Sequence, residues 1–530
     1  MKKSTFILIL LISAFISVNL YAGYHEQGKT AYMYKNYDKA ITAFTKAVEA
    51  NPKDGNSYYF MGEINKKLEN FPQAIEYYNL AIDNYMDKKY IKLAYWSLII
   101  LYEQNNDILN TVKTCRKYWE KTNDSSVQDK VNEMINKMLW TNNDSAKQLY
   151  EKGKILEGKN SNDEAVQSYK NAISEDNEFL APKYKLGMYY LSKNQENEAA
   201  FYFKAITDKI PFYTAVNLLL ADIYFSNNSF TNAAVLYSNV LDYGFIGKNT
   251  KYKSFLKRGT CYYKNKEYDN AVADMTECQK LNPKDTKPMY VLSAIFIQNE
   301  NYQEAVKILQ KLSTYAPNDS QVIFQLGSIY YKEQNEKFAV YFDRLFDIEQ
   351  NKKNDERNTS YYKAYKILLK QHFLDKSYQR AIQIASSLPA SETDYDTNII
   401  LAEAFYFTGS YDKAVETFEK LSLNDEKKMM LVKAYLKNKD REKAKYNLNL
   451  LITNSENSRI AAEKDTLLAP LVKEIDKEKT NQQKKLEQEK KAEEEKAAKE
   501  KEDREKAAAE INNSVNSNTA DTSDNTDFLK

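Results

Sequence analysis

Over most of the chain, apolar residues return every three or four positions with charged residues between them, the spacing of helices that bury one face. The stretch Thr250 to Pro317 shows a second, longer period. Gly259, Tyr262, Ala271, Met275, Cys278 and Pro283 recur 34 positions later as Ser293, Phe296, Ala305, Leu309, Leu312 and Pro317. A period of this size predicts a stacked repeat of two short helices, because one hairpin cannot bury its apolar side alone.

The same register extends in both directions. Upstream, Gly28, Ala40, Phe44, Ala47 and Pro52 return as Gly62, Ala74, Tyr78 and Ala81, and Gly153, Ala165, Tyr169 and Ala172 are followed by Gly187, Ala199, Phe203 and Pro211. Downstream, Gly327 with Ala339, and Ala402 with Ala414 and Phe418, continue it. Gly28, Gly62, Gly153, Gly187, Gly259 and Gly327 all occupy the eighth position, although the chain has only 12 glycines. Alanine recurs at the twentieth position as Ala40, Ala74, Ala165, Ala199, Ala271, Ala305, Ala339 and Ala414. Small residues at positions 8 and 20 predict that the two helices of a hairpin cross there, with bulk supplied at positions 4, 7, 11 and 24. Hairpin seven departs from this by placing Arg258 at position 7. Proline at position 32 (Pro52, Pro211, Pro283, Pro317) ends the second helix.

These residues and their spacing resemble the tetratricopeptide repeat. The resemblance spans residues 23–451 and implies an all-α fold, a right-handed α-solenoid of about twelve hairpins. A first stack is expected over 23–121, a connecting helix over 122–144 and the main solenoid over 145–451. The connecting helix is suggested by Val127, Val131, Met134, Ile135, Met138 and Leu139, which fall between registers. Copy three has Ile99 in place of glycine and Thr111 in place of alanine, and the polar run NKKNDERNTS from Asn351 reads as a second interruption.

At the C-terminal end the pattern changes. Residues 452–476 carry Ile460, Leu467, Leu468, Leu471, Val472 and Ile475 and predict a helix that caps the last hairpin. Residues 477–510 are almost all Lys, Glu, Gln and Ala, with pairs such as Glu487 and Lys491 in the favourable i,i+4 order, which predicts a solvated charged helix. A coiled coil is the alternative, with weak self-association through 477–510, although no sustained heptad seam is present. Residues 511–530 are rich in Asn, Ser and Thr and are expected to be a disordered tail.

At the other end, Lys2 and Lys3 precede an apolar run from Phe6 to Val18, and Ala22 stands where a signal peptidase would cut, so 1–22 reads as a signal peptide. The run falls short of the about 20 apolar residues of a membrane span. No later stretch reaches that length, and no integral span is expected in the mature chain. The expected destination is the periplasm or cell envelope, with release from the cell as the other outcome.

Composition narrows the chemistry. Twelve Gly and nine Pro are too few for an all-β or doubly wound α/β chain of 530 residues. The 76 Lys+Arg and 74 Asp+Glu leave +2, which argues against a dedicated nucleic-acid binder. His25 and His372 are the only two histidines, far apart in sequence, and Cys115, Cys261 and Cys278 are expected to be buried free thiols. No phosphate loop, metal motif or nucleophile elbow occurs. Catalytic residues, metal ligands and cofactors are therefore all expected to be none, and the charged residues read as solvated surface.

What remains is surface. The resemblance implies that first helices line a concave groove taking an extended peptide or helix of a partner protein. Position 5 carries Tyr59, Trp96, Tyr150, Tyr184, Tyr290 and Phe324, and position 12 carries Tyr32, Phe225, Tyr263, Tyr331, Phe373 and Tyr406. An aromatic ladder there would bury area at low entropy cost, while the bland alternative is that these residues follow the repeat's own consensus. The function expected is a non-catalytic exported scaffold, the alternative being a structural spacer or tether that uses the charged C-terminal helix.

Overall fold

The structure is a computed structural model, which describes residues 21–353 and 356–516. The described residues are helical hairpins with one α-helix between the third and fourth and two after the last, and the chain divides into two compact units, 1–315 and 316–530. Hairpins one to eight lie in the first. They begin with a helix at 21–33 paired with Tyr37–Ala50 and end with Lys287–Gln298 paired with Tyr302–Tyr315. The second holds hairpin nine (Ser320–Lys332, Lys337–Gln350) through hairpin twelve (Asp425–Lys437, Arg441–Asn454). The fold is that of a tetratricopeptide solenoid.

One backbone feature marks every hairpin. The seventh residue after position 8 takes a left-handed conformation, at Lys35, Glu69, Asn106, Asn160, Asn194, Asn228, Lys266, Glu300, Gln334, Lys376, Gly409 and Lys439. Its amide closes onto a carbonyl three residues back, as from Lys266 to Tyr263, and the next amide reaches five back, as from Glu267 to Tyr262. That Schellman-type closure satisfies the carbonyls left open at the end of the first helix. Only hairpin eleven uses glycine there among the described residues. Position 15 is therefore fixed by geometry although its side chain varies, which is why it left no mark on the sequence.

The small residue at position 8 lies closer to position 24 than to the alanine at position 20. A Cβ on Gly187 would stand 2.5 Å from Cε1 of Phe203, and one on Gly153 would stand 2.5 Å from Cε1 of Tyr169. Gly28 meets Phe44, Gly62 meets Tyr78 and Gly259 meets Met275 in the same way. The alanines Ala40, Ala74, Ala165, Ala199, Ala271, Ala305 and Ala414 are all buried. Ala339 is not. In hairpin nine Gly327 lies under Phe342, which is fifteen positions on rather than sixteen. The first turn of Lys337–Gln350 is tight, with the Ala339 amide bonded three residues back to Glu336 where its equivalents reach four back. The helix is thereby advanced by one residue, and Ala339 is only partly buried.

The helix Ser126–Leu139 fills the expected connecting segment, but the first three hairpins are not a separate body. Helix Ile108–Thr122 packs back on hairpins six and seven: the Arg116 guanidinium donates to the carbonyl of Leu241, Lys251 pairs with Glu120 at 2.9 Å, and the Trp119 ring meets Phe245 edge-on at 5.7 Å. A one-dimensional repeat pattern carries no sign of such a contact.

In the second unit the polar run after Asn351 is pinned by Glu349, a buried carboxylate on helix Lys337–Gln350. It accepts from Ser320 Oγ at 2.5 Å, Lys352 Nζ at 2.6 Å and the Asn358 amide at 3.2 Å. Burial pushes this carboxyl up, and the three donors outweigh it, leaving it below the ordinary range. The expected capping helix is two pieces, Glu456–Lys464 and the start of Ala469–Asn516, separated by a turn at which Asp465 accepts the amides of Leu467 and Leu468. Leu468, Leu471, Val472 and Ile475 close the core of hairpin twelve. The charged segment 477–510 continues that same helix, which runs to Asn516, and apart from Lys479 the segment is exposed. Of the tail expected over 511–530, residues 511–516 are instead the last turn and a half of this helix, and of the signal segment expected over 1–22, residues 21 and 22 begin the first helix; the remainder of both, 517–530 and 1–20, lies outside the described residues.

Candidate protein-binding surface

The two aromatic rows turn inward. Tyr59 and Tyr150 are buried, and Trp96, Tyr184, Tyr290 and Phe324 are half-buried. Tyr59 stacks on Tyr90 at 4.9 Å, Tyr150 lies 5.6 Å from Tyr169 and 5.3 Å from Phe179, and Phe324 lies 6.3 Å from Phe342 and 4.9 Å from Tyr361. The rings of Tyr59, Tyr150 and Phe324 thus fill the space between their own second helix and the segment that follows it. The aromatic at position 12 does a different job: it meets the first aromatic of the second helix across the turn. Tyr32 meets Tyr37 at 6.3 Å, Phe225 meets Phe230 at 5.8 Å and Tyr263 meets Tyr268 at 6.2 Å. Tyr331 meets Phe338 at 5.2 Å, Phe373 meets Tyr378 at 5.6 Å and Tyr406 meets Tyr411 at 5.6 Å. Of the residues expected in a groove ladder, Tyr331 alone among these keeps about half its surface exposed. The rows staple the hairpins, because a ring offered to water beside a left-handed turn gains more by covering that turn.

What the first helices do present is a polar row that the sequence reading passed over. The Tyr169 hydroxyl donates to Glu157 at 2.7 Å, and Lys185 of the next hairpin donates to the same carboxylate at 2.9 Å. The arrangement repeats with Tyr237, Asp222 and Lys257, at 2.6 and 2.8 Å. In hairpin two Tyr78 donates to Glu63, and Ser97 stands in the place of the lysine at 3.3 Å. Each set joins a tyrosine at position 24, an acid at position 9 or 12 of its own first helix, and a donor on the following first helix. For Glu157, burial pushes the carboxyl up, but Lys185 and Tyr169 more than offset this and hold it below the ordinary range. Glu157 and Asp222 remain about half exposed, so their free lone pairs can accept from a peptide or a basic side chain. A signal for the row was present: an acid one or four residues past the small residue, with tyrosine at position 24 and lysine 28 or 35 residues on.

Nucleophile chemistry finds no accessible geometry at the N-terminal cluster. His25 Nδ1 lies 2.7 Å from Ser57 Oγ and 3.3 Å from Asp54 Oδ2, so one ring nitrogen serves both, and Ser57 is fully buried. Asp54 meanwhile caps helix Gly55–Lys67 through the Asn56 amide. The thiols of Cys115, Cys261 and Cys278 are free and buried, and burial pushes each up to about 12, where a thiolate does not form at neutral pH. No described helix is long and apolar enough to cross a membrane.

Family models agree with this architecture. Family models described as tetratricopeptide repeat match residues 26–88 and 146–179, and one described as anaphase-promoting complex, cyclosome, subunit 3 matches residues 232–312. A sequence search of curated proteins finds no match. Among solved structures, similar chains include YrrB, a TPR protein with an unusual peptide-binding site, at 18% identity, covering 35% of this chain and 94% of that one with a TM-score of 0.29. MamA from Desulfovibrio magneticus RS-1 matches at 16% identity over 33% of this chain and 97% of that one, TM-score 0.28. Yeast Tom70 matches at 16% identity over 86% of this chain and 99% of that one, TM-score 0.25.

Proposed function

Because the chain is a tetratricopeptide-repeat protein, we propose that it serves as a non-catalytic scaffold for protein-protein contact, exported to the periplasm or cell envelope, with its first-helix surface as the partner site. The observation that carries the reading is the row of half-exposed carboxylates, Glu157 and Asp222, each already held in place by a tyrosine and a lysine. Preorganised acceptors of this kind bind donors without first being ordered, which lowers the cost of association. The ligand they suit is an extended segment with backbone amides and basic side chains to offer. The export part of the reading rests on the Lys-led apolar run before Ala22.

The test is cross-linking in intact cells, followed by mass spectrometry of the linked peptides. Lys253, Lys287 and Lys370 are exposed on first helices and report the proposed surface. Foreign peptides joined to them support the scaffold. Links confined to lysines of the charged helix favour the second reading, a spacer or tether, which has its own support in the long exposed stretch of Ala469–Asn516. Charge reversal at Glu157 and Asp222 separates the two further, since a scaffold then loses its partner and a tether keeps it.

A further inference from the structure

The long C-terminal helix contains a short repeat of its own. The segments IDKEK (475–479), LEQEK (486–490) and AAKEK (497–501) follow one another at a spacing of eleven, and Ala508 takes the next first position. Eleven residues make three helical turns with about 20° over, so these positions form rows almost parallel to the helix axis. Ile475, Leu486, Ala497 and Ala508 are one row. Glu478, Glu489 and Glu500 lie about 60° to one side of it, and Lys479, Lys490 and Lys501 about 40° to the other.

The first copy already shows what such a surface does. Ile475 is buried against hairpin twelve, Glu478 accepts from Lys445, and Lys479 donates to Thr453 Oγ1 at 2.9 Å. Both partners lie on helix Arg441–Asn454. Copies two and three present the same set, with Leu486, Glu489, Lys490, Ala497, Glu500 and Lys501 all exposed. The docked surface therefore continues, in register, past the end of the element that covers it.

We propose that residues 486–508 pair with the same segment of a second copy of this chain, side by side and parallel. The charges choose the occupant and its direction. In a parallel pair the glutamate flank of each helix faces the lysine flank of the other, whereas in an antiparallel pair glutamates face glutamates and lysines face lysines. A seam of one leucine and two alanines is slender, so the association is weak and salt-sensitive. The proposal is independent of the scaffold reading and stands or falls apart from it.

The full chain is examined by sedimentation velocity over a concentration series at low ionic strength. The expected result is a dimer that grows with concentration and recedes as salt is raised. Glu489→Lys with Glu500→Lys places lysine on both flanks and leaves a monomer, and adding Lys490→Glu with Lys501→Glu restores the dimer. These positions are solvated, so the fold is untouched and circular dichroism confirms it. Ala508→Cys then links to itself under mild oxidation, the three native thiols being buried. A chain that stays monomeric at every concentration, a dimer indifferent to the charge reversals, or a dimer in which Ala508→Cys links only to Leu486→Cys overturns the proposal.

Discussion

In hairpin seven the guanidinium of Arg258 forms a two-pronged bond with the carboxylate of Asp274, Nε to Oδ2 at 2.8 Å and Nη2 to Oδ1 at 2.7 Å. Both groups are largely buried, and Ser238 Oγ takes a further donor of Arg258 at 3.0 Å. Arg258 occupies the place where most other hairpins carry leucine or methionine, so a charge pair is packed where bulk is expected. Removing one partner strands a buried charge, at a cost of about 3 to 5 kcal/mol, whereas replacing both with apolar groups of similar volume is often close to neutral. Asp274→Leu alone is expected to lower stability by about that amount in chemical denaturation, and Asp274→Leu with Arg258→Met to recover most of it. Two single losses that simply add would show that the fork is not a unit.

Gly187 and Gly158 make a matched pair of tests. A methyl on Gly187 would enter the Phe203 ring, which is itself fully buried, so Gly187→Ala is expected to cost about 1 to 3 kcal/mol by overpacking. Gly158 ends helix Asp144–Gly158 with nothing within 4 Å of where its Cβ would be. Gly158→Ala is therefore expected to be neutral or to stabilise by up to about 1 kcal/mol. Equal melting temperatures for the two variants would refute the assignment of position 8 to the contact with position 24.

The left-handed turn residue of hairpin seven is Lys266, with φ 65°. A side chain in that conformation costs about 1 to 2 kcal/mol, which glycine avoids at the expense of a more flexible unfolded chain. Lys266→Gly is expected to raise stability by about 0.5 to 1 kcal/mol, read from the denaturation midpoint. Lys266→Val, with a branched Cβ, should lower it.

Stability in acid has an identifiable contributor. Asp394 caps helix Tyr395–Phe407 by accepting from the Thr397 hydroxyl at 2.7 Å and the Thr397 amide at 2.8 Å, with Lys366 at 3.2 Å. The hydroxyl, the amide and the lysine together lower its carboxyl to about 2. The ordinary value is about 3.9. Because the folded value is the lower one, the contribution is complete above about pH 4 and is lost as the pH falls through 2. Asp394→Asn keeps the cap at neutral pH but should remove this step from the profile, and Asp394→Ala should lose about 1 kcal/mol at pH 7. The side chain is about half exposed, so the acid step is small. An Asn variant with the wild-type acid profile would exclude Asp394 as its source.

Volumes at positions 8 and 24 explain how hairpins three and ten survive without the glycine. Where position 8 is Gly187, position 24 is Phe203; where position 8 enlarges to Ile99 or Leu369, position 24 shrinks to Cys115 or Ala385, and all of these are buried. The sequence carries both halves of that trade, but at a distance of sixteen residues and in opposite senses, so each substitution read alone looks like decay of the pattern. Ala339 misled in the other direction: it has the expected identity, and a tight first turn moves it off the crossing.

What the chain determined by itself is whatever repeats locally: the 34-residue period, the small and bulky positions, the prolines that end second helices, and the charged run that follows the last hairpin. Those features arise from contacts inside one hairpin or between neighbours, so spacing alone reports them. The tertiary structure decided which way each aromatic faces. Tyr59 and Phe324 turn into the stack because the adjoining hairpin supplies ring partners, and Tyr263 closes its turn because Tyr268 stands opposite. It also brought Arg116 to the carbonyl of Leu241, 125 residues away, and buried Arg258 beside Asp274. These are pairings of groups whose identities are ordinary one at a time. Their energy depends on desolvation and mutual geometry, and neither exists until the chain has packed.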